Sequence, residues 1–210
     1  NKFKGFDVIQ LISPYFLKYK YFPSYFYYKI LKKINTKFFL LACGSDAYFW
    51  KYGPDLFRYG PFNDILKYDV KTEFISFQNL NNFKFNEKVC NLSDGIIPSL
   101  YEYEKCHMNH PKLLPIIPFP INIDAIKYKE NKPSNKIIVF HGLSRYGFKG
   151  TRHIEKAFSI LEDKYPNQLD LIIAGNLPLD EYLAILNQAN IFVDQTSFYS
   201  SGVSALQALA

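Results

Sequence analysis

Cysteine is scarce in this chain, at three residues in 210. Cys43, Cys90 and Cys106 are odd in number, widely spaced and without a Cys-x-x-Cys pair. That argues against a disulfide framework or a thiolate zinc site and fits a reducing compartment. Also missing is any run of ~18 uninterrupted apolar residues, so no transmembrane helix is expected. No charged-apolar-small leader pattern follows Asn1, and the expected location is cytoplasmic. Internal repeats and low-complexity tracts are absent. His107 and His110 stand at helical spacing, but no neighbouring partners complete a metal site; a solvated helix end is the expected setting.

What is present is a core-forming composition. Hydrophobic residues make up 48% of the chain and charged ones 21%, so the chain folds rather than remaining disordered. The net charge of +6 fits nucleic acid, an anionic membrane face or phosphorylated substrates. An AT-biased genome would also enrich Lys, Asn, Ile, Phe and Tyr, so charge alone selects no partner.

Strands are expected over 6–13, 37–43, 72–77 and 95–99, with helices over 24–35, 84–94 and 100–108. Residues 112–120 read as extended, held so by Pro115, Pro118 and Pro120. After a polar, turn-rich stretch the alternation sharpens. Strands are expected over 136–142, 169–175 and 190–195. The helix between the first two places Ile154, Ala157, Phe158 and Leu161 on one face; the next places Tyr182, Ile185, Leu186 and Ala189. Another helix begins in "SGVSALQALA". Alternation of this kind predicts βαβ units and parallel sheets, in two α/β domains. The expected division is 1–120, a linker over 121–135, and 136–210. Two full doubly wound domains need roughly 300 residues, so the chain reads as a piece cut at both ends.

Ligands of open parallel sheets bind beyond the carboxyl ends of the strands. In the second region those ends carry Gly142, Asn176, and Asp194 with Gln195. Lys149-Gly150-Thr151 and Ser200-Ser201-Gly202 each open a helix, where free backbone amides suit a phosphate. Arg145 supplies a planar fork and Lys149 a point charge. Singly, these are ordinary turn and cap residues. Their joint placement makes a candidate diphosphate site.

"FHGLSRYGFKGTRHIEKAF", "LDLIIAG", "YLAILNQANIFVDQ" and "GVSALQALA" together resemble the C-terminal domain of retaining GT-B glycosyltransferases, the large group called family 4. "DVIQLIS", "LLACGSDAYFW" and "GIIPS" look more loosely like the later half of the matching N-terminal domain. The resemblance implies two Rossmann-like, doubly wound parallel-sheet domains, both incomplete in this chain. It implies transfer of a sugar from a nucleotide-diphosphate donor with retention, without metal or cofactor. Arg145 and Lys149 would neutralise the leaving diphosphate. Gly142 would admit it, Ser201, Gly202 and Val203 would offer amides, and Asn176, Asp194 and Gln195 would lie on the donor side. The family's paired glutamates fall on Tyr199 and Gln207; Gln207 can hydrogen-bond a ribose hydroxyl, whereas Tyr199 supplies no negative charge. In the first domain Cys43 stands where the family often has histidine, and Ser45 and Asp46 remain on the acceptor side.

The acceptor implied is a glycan or a lipid-linked molecule, in bacterial surface polysaccharide assembly. Residues 14–33 hold Lys18, Lys20, Lys29, Lys32 and Lys33, many aromatics and no acid, which suits peripheral docking on an anionic inner membrane face. A core helix with composition-driven Lys and Tyr is the plainer alternative. Other readings stay open. A paralogue that has lost its chemistry, serving as a binding or assembly subunit, accounts for the missing glutamates. A GT-B nucleotide-sugar epimerase needs catalytic carboxylates that are not evident. A nucleic-acid binder is disfavoured, because a diphosphate better explains Arg145 and Lys149.

Overall fold

Among the described residues, short β-branched and aromatic runs build two separate three-stranded parallel sheets. The computed structural model describes residues 2–17, 24–44, 46–67, 79–126, 128, 130–133 and 135–210. The strand expected over 72–77 lies outside the described residues, as do Ser45, Lys18 and Lys20. The chain divides into two compact units, Asn1–Arg58 with Thr72–Phe119 and Tyr59–Lys71 with Pro120–Ala210.

In the first unit β1 (Val8–Leu11), β2 (Lys37–Ala42) and β3 (Gly95–Pro98) lie in that order, all parallel. Phe38, Leu40 and Ala42 are fully buried while the residues between them are not, the period-two signature of a strand. Helix α1 (Ser24–Ile34) crosses between β1 and β2. It buries Tyr28, whose hydroxyl donates to Pro14 O at 3.1 Å. Residues 112–117 run beside β3, with Ile96 N donating to Lys112 O and Leu114 N to Ile96 O, each at 2.9 Å.

Two helices here were not expected from sequence: α2 (Ala47–Leu56) and α3 (Pro61–Lys67), the latter grouped with the second unit. Gly53 and Pro54 inside α2 read as breakers, yet burial of Tyr48, Phe49 and Trp50 and the Asp46 cap on Phe49 N outweigh them. Helix α4 (Leu80–Leu92) starts earlier than expected because Asn79 caps it through Asn81 N. Helix α5 (Tyr101–His107) follows β3.

The second unit contains β4 (Ile137–Leu143), α6 (Thr151–Lys164), β5 (Leu169–Gly175), α7 (Leu179–Leu186), β6 (Ile191–Phe192) and α8 (Val203–Leu209). Its strand order is β5-β4-β6, so the chain winds outward from β4 and then returns to its other side. Both faces of β4 are covered. Val139 packs with Ile154 and Phe158 of α6, and Phe140 packs with Leu186 and Ala189 on the α7 side. A strand buried on both faces reads as one continuous apolar run, as "IIVF" does. Ala157, expected on the inner face of α6, is exposed, and Leu161 is only half-buried. The strand expected over 190–195 is reduced to Ile191–Phe192, because the chain turns away to hydrogen-bond the start of α6.

Both units are therefore parallel α/β structures of Rossmann-like architecture, the general plan of GT-B-like proteins. No helix among the described residues is long and apolar enough to cross a membrane.

Candidate functional site

Winding reverses at β4, and a crevice opens beyond the carboxyl ends of the strands where it does so. A cavity of about 340 Å³ lies there. Its lining includes Gly142 and Ser144 after β4, Gly175 and Asn176 after β5, Tyr182 of α7 and Ser204 of α8. Three backbone features shape it. A Cβ on Gly142 would sit 2.8 Å from the Tyr182 ring, and one on Gly175 would sit 2.0 Å from Leu143 O. Asn176 turns the chain out of β5 with a left-handed φ of 57°. The Tyr182 hydroxyl is buried without a hydrogen bond of good geometry. Burial raises its pKa, and Ser204 alongside acts in the opposite direction. Sequence periodicity placed Tyr182 in the core and did not reveal this polar end; the glycine facing its ring was the available signal.

Beside the cavity, the loop after β4 meets the segment after β6. Gly150 has φ +73°, and a Cβ there would lie 2.0 Å from Thr196 Oγ1, so only glycine lets the two backbones approach. Thr196 N donates to Lys149 O at 2.9 Å. His141 lies fully buried beneath the junction, its Nδ1 2.8 Å from Val193 O and its Nε2 3.0 Å from Thr151 Oγ1. A carbonyl only accepts, so Nδ1 carries the proton and Nε2 receives the Thr151 hydroxyl. Burial holds the His141 pKa below its ordinary value, against the opposing bond to Val193.

Lys149 and Asp194 form the charged centre of this junction. Lys149 Nζ lies 3.0 Å from Asp194 Oδ1, and both side chains are nearly buried. The other carboxylate oxygen accepts from Gly202 N at 2.9 Å. The two helix starts anticipated from sequence are thus brought together through Asp194. Gln195 turns its amide into the following loop, donating to Ser200 O at 2.6 Å. Arg145 is exposed, with its guanidinium 4.2 Å from the Phe148 ring centroid. Ser201, Val203 and Tyr199 are exposed, the Tyr199 hydroxyl receiving Tyr59 N at 3.4 Å. Gln207 is half-buried on α8. Gly142 and Asn176 therefore share the cavity, and Lys149, Asp194 and Gly202 share the ion-pair junction.

Asp46 belongs to the first unit. It is buried, caps α2 through Phe49 N at 3.0 Å, and turns Oδ2 toward His107 Nε2 at 3.5 Å. His107 Nδ1 donates to Tyr103 O at 2.8 Å, and the Tyr48 ring stacks on the imidazole at 4.3 Å. The solvated helix end expected for His107 is corrected: the ring is buried, drawn in by the Asp46 carboxylate and the Tyr48 face. Burial, with Asp46 near, pushes the Cys43 thiol up to about 11, which leaves it a poor nucleophile at neutral pH. Among the described residues no group of three or more His, Cys, Asp or Glu side chains is placed to hold a metal ion.

The fold by itself carries a general Rossmann-like plan and does not single out family 4. No protein-family model matches the chain, and no curated protein matches it.

Proposed function

We propose that the chain belongs to a glycosyltransferase that moves a sugar from a nucleotide-diphosphate donor to a glycan or lipid-linked acceptor with retention. The observation that carries the reading is the cavity at the strand ends where winding reverses, adjoining the Lys149 junction. A cavity lined by apolar side chains such as Leu143, Leu177 and Leu179, with a few hydroxyls and one amide among them, suits the uncharged part of a nucleotide sugar, and a neighbouring ammonium suits its diphosphate. In the reaction the bond from the anomeric carbon to the diphosphate oxygen breaks. A bond from the same carbon to the acceptor oxygen forms, and the acceptor proton passes to the departing diphosphate. Lys149 and Arg145 stabilise the charge growing on that leaving group. Asn176 and Gln207 bind donor hydroxyls; Ser201 and Val203 offer amides. The acceptor is handled by the first unit, with Asp46 and Ser45 on its side. The protein works in the cytoplasm, at the periphery of an anionic membrane.

A second reading is a binding or assembly subunit without chemistry. It is favoured by Tyr199 and Gln207, neither of which is a carboxylate.

A thermal-shift panel with UDP, GDP, ADP, CMP and dTDP tests the first reading. One nucleoside diphosphate raises the melting temperature by at least about 2 °C at saturation, and Ser144→Trp, which fills the cavity mouth from an exposed position, removes the shift. No shift with any nucleotide moves the assignment to the second reading.

A further inference from the structure

We infer that Asp194 sets the anion affinity of the junction beside the cavity, its carboxylate standing where a ligand phosphate would accept hydrogen bonds. The inference deepens the donor-site reading and rests on it. Asp194 takes one oxygen to the Lys149 ammonium at 3.0 Å and the other to Gly202 N at 2.9 Å. A cation and a backbone amide converging on paired oxygens are the donors a phosphate uses. The pair is nearly buried, so solvent screens it weakly. Its frame is fixed on both sides, by Thr196 N on Lys149 O and by His141 on Val193 O. Two residues beyond Gly202, Ser204 lines the cavity, so the junction and the cavity are neighbours.

An anion approaching Lys149 therefore meets a neutral pair rather than a free positive charge. It gains the ammonium only by displacing the Asp194 carboxylate, which then rotates out or is repelled. Free phosphate, with its acceptor oxygens on a single centre, gains too little to do this, whereas a diphosphate brings acceptor oxygens on two linked centres and, as pyrophosphate, more charge. Asp194 thereby makes the site selective for diphosphates and weak toward free phosphate, a selectivity built from repulsion.

The test is calorimetric titration of wild type and Asp194→Asn with inorganic pyrophosphate and with inorganic phosphate, alongside melting curves in each anion. Asp194→Asn binds pyrophosphate at least about tenfold tighter than wild type. It loses the discrimination against phosphate, and recovers in pyrophosphate the melting temperature it loses without it. Equal or weaker binding by the folded variant overturns the inference. Should Asp194→Asn fail to fold with or without anion, wild type decides: saturating pyrophosphate shifts the Asp194 carboxyl ¹³C resonance, and an unmoved resonance, or no binding, overturns the inference. The two levels separate cleanly. A nucleoside diphosphate that binds wild type and variant equally leaves the donor-site reading standing and removes the role of Asp194. A variant that gains pyrophosphate while no nucleoside diphosphate adds to it does the reverse.

Discussion

His141 ties three segments with one ring: β4 carries it, Val193 O receives Nδ1–H, and the Thr151 hydroxyl meets Nε2. Its depressed pKa has a defined consequence. Above pH ~6.5 the ring is neutral whether the chain is folded or not. Below that value the unfolded chain takes up a proton that the folded one refuses, so stability falls with pH until the folded ring also titrates. His110 contributes with the same sign, being depressed first by its own burial. Urea unfolding from pH 8 to pH 5, compared between His110→Asn and the double variant His110→Asn/His141→Asn, isolates His141. The expected loss is about 1.4 kcal/mol per pH unit of separation between the two pKa values, and a flat profile contradicts it. At this scale the sequence revealed residue types and strand ends but not pairings. Nothing in a one-dimensional pattern joins Lys149 to Asp194, or Asp46 to His107, because each contact spans a crossover and is decided by packing. For the same reason Lys149 read from sequence as a cation awaiting a ligand, whereas its charge is already met by Asp194.

Elements were more legible, for physical reasons that differ between them. Helix α6 opens at Thr151 between its two strands as expected, because its turn and flanking strands agree with the apolar Ile154 and Phe158 on its inner face. Helix α2 was missed where local and tertiary signals conflict, since Gly53 and Pro54 argue for a break while three buried aromatics argue for a helix. Strand β6 was overestimated because its β-branched run continues past the point where its backbone leaves the ladder. The start of α6 yields a direct prediction. Gly150→Ala combines a left-handed backbone with a Cβ driven into Thr196, and should destabilise the protein by about 2 kcal/mol or more. Urea unfolding measures this, and a change under about 0.5 kcal/mol would refute the close approach as the reason for glycine.

Over the whole molecule the net charge is +6, and one part of the first unit combines charge with exposed apolar surface. Phe3, Ile12, Phe16 and Phe26 are each more than half exposed. Phe3, Ile12 and Phe16 also border an apolar cavity of about 460 Å³ beside α1. On α1 itself Phe26 and Ile30 share a face with Lys29 and Lys33, while Lys32 is already engaged by Asp94. Lys29 and Lys33 are therefore the cations that membrane docking would use. Changing both to Gln should weaken pelleting with anionic vesicles by roughly thirtyfold, at about 1 kcal/mol for each cation. Equal pelleting of variant and wild type assigns the basic composition to genome bias instead. The sequence indicated a basic, aromatic stretch here, but which lysines are spent on internal partners depends on the fold.

The order β5-β4-β6 has a consequence for how the chain is made. Strand β4 is the centre of its sheet, yet as the chain emerges it acquires β5 first, and its other edge waits until Ile191 and Phe192 arrive. Through that interval an apolar strand bares a row of unpaired amides and carbonyls. A nascent chain halted before β6 presents a template for joining another such chain. Stalled synthesis or proteolytic loss of the last segment should therefore yield aggregates rather than a smaller soluble domain.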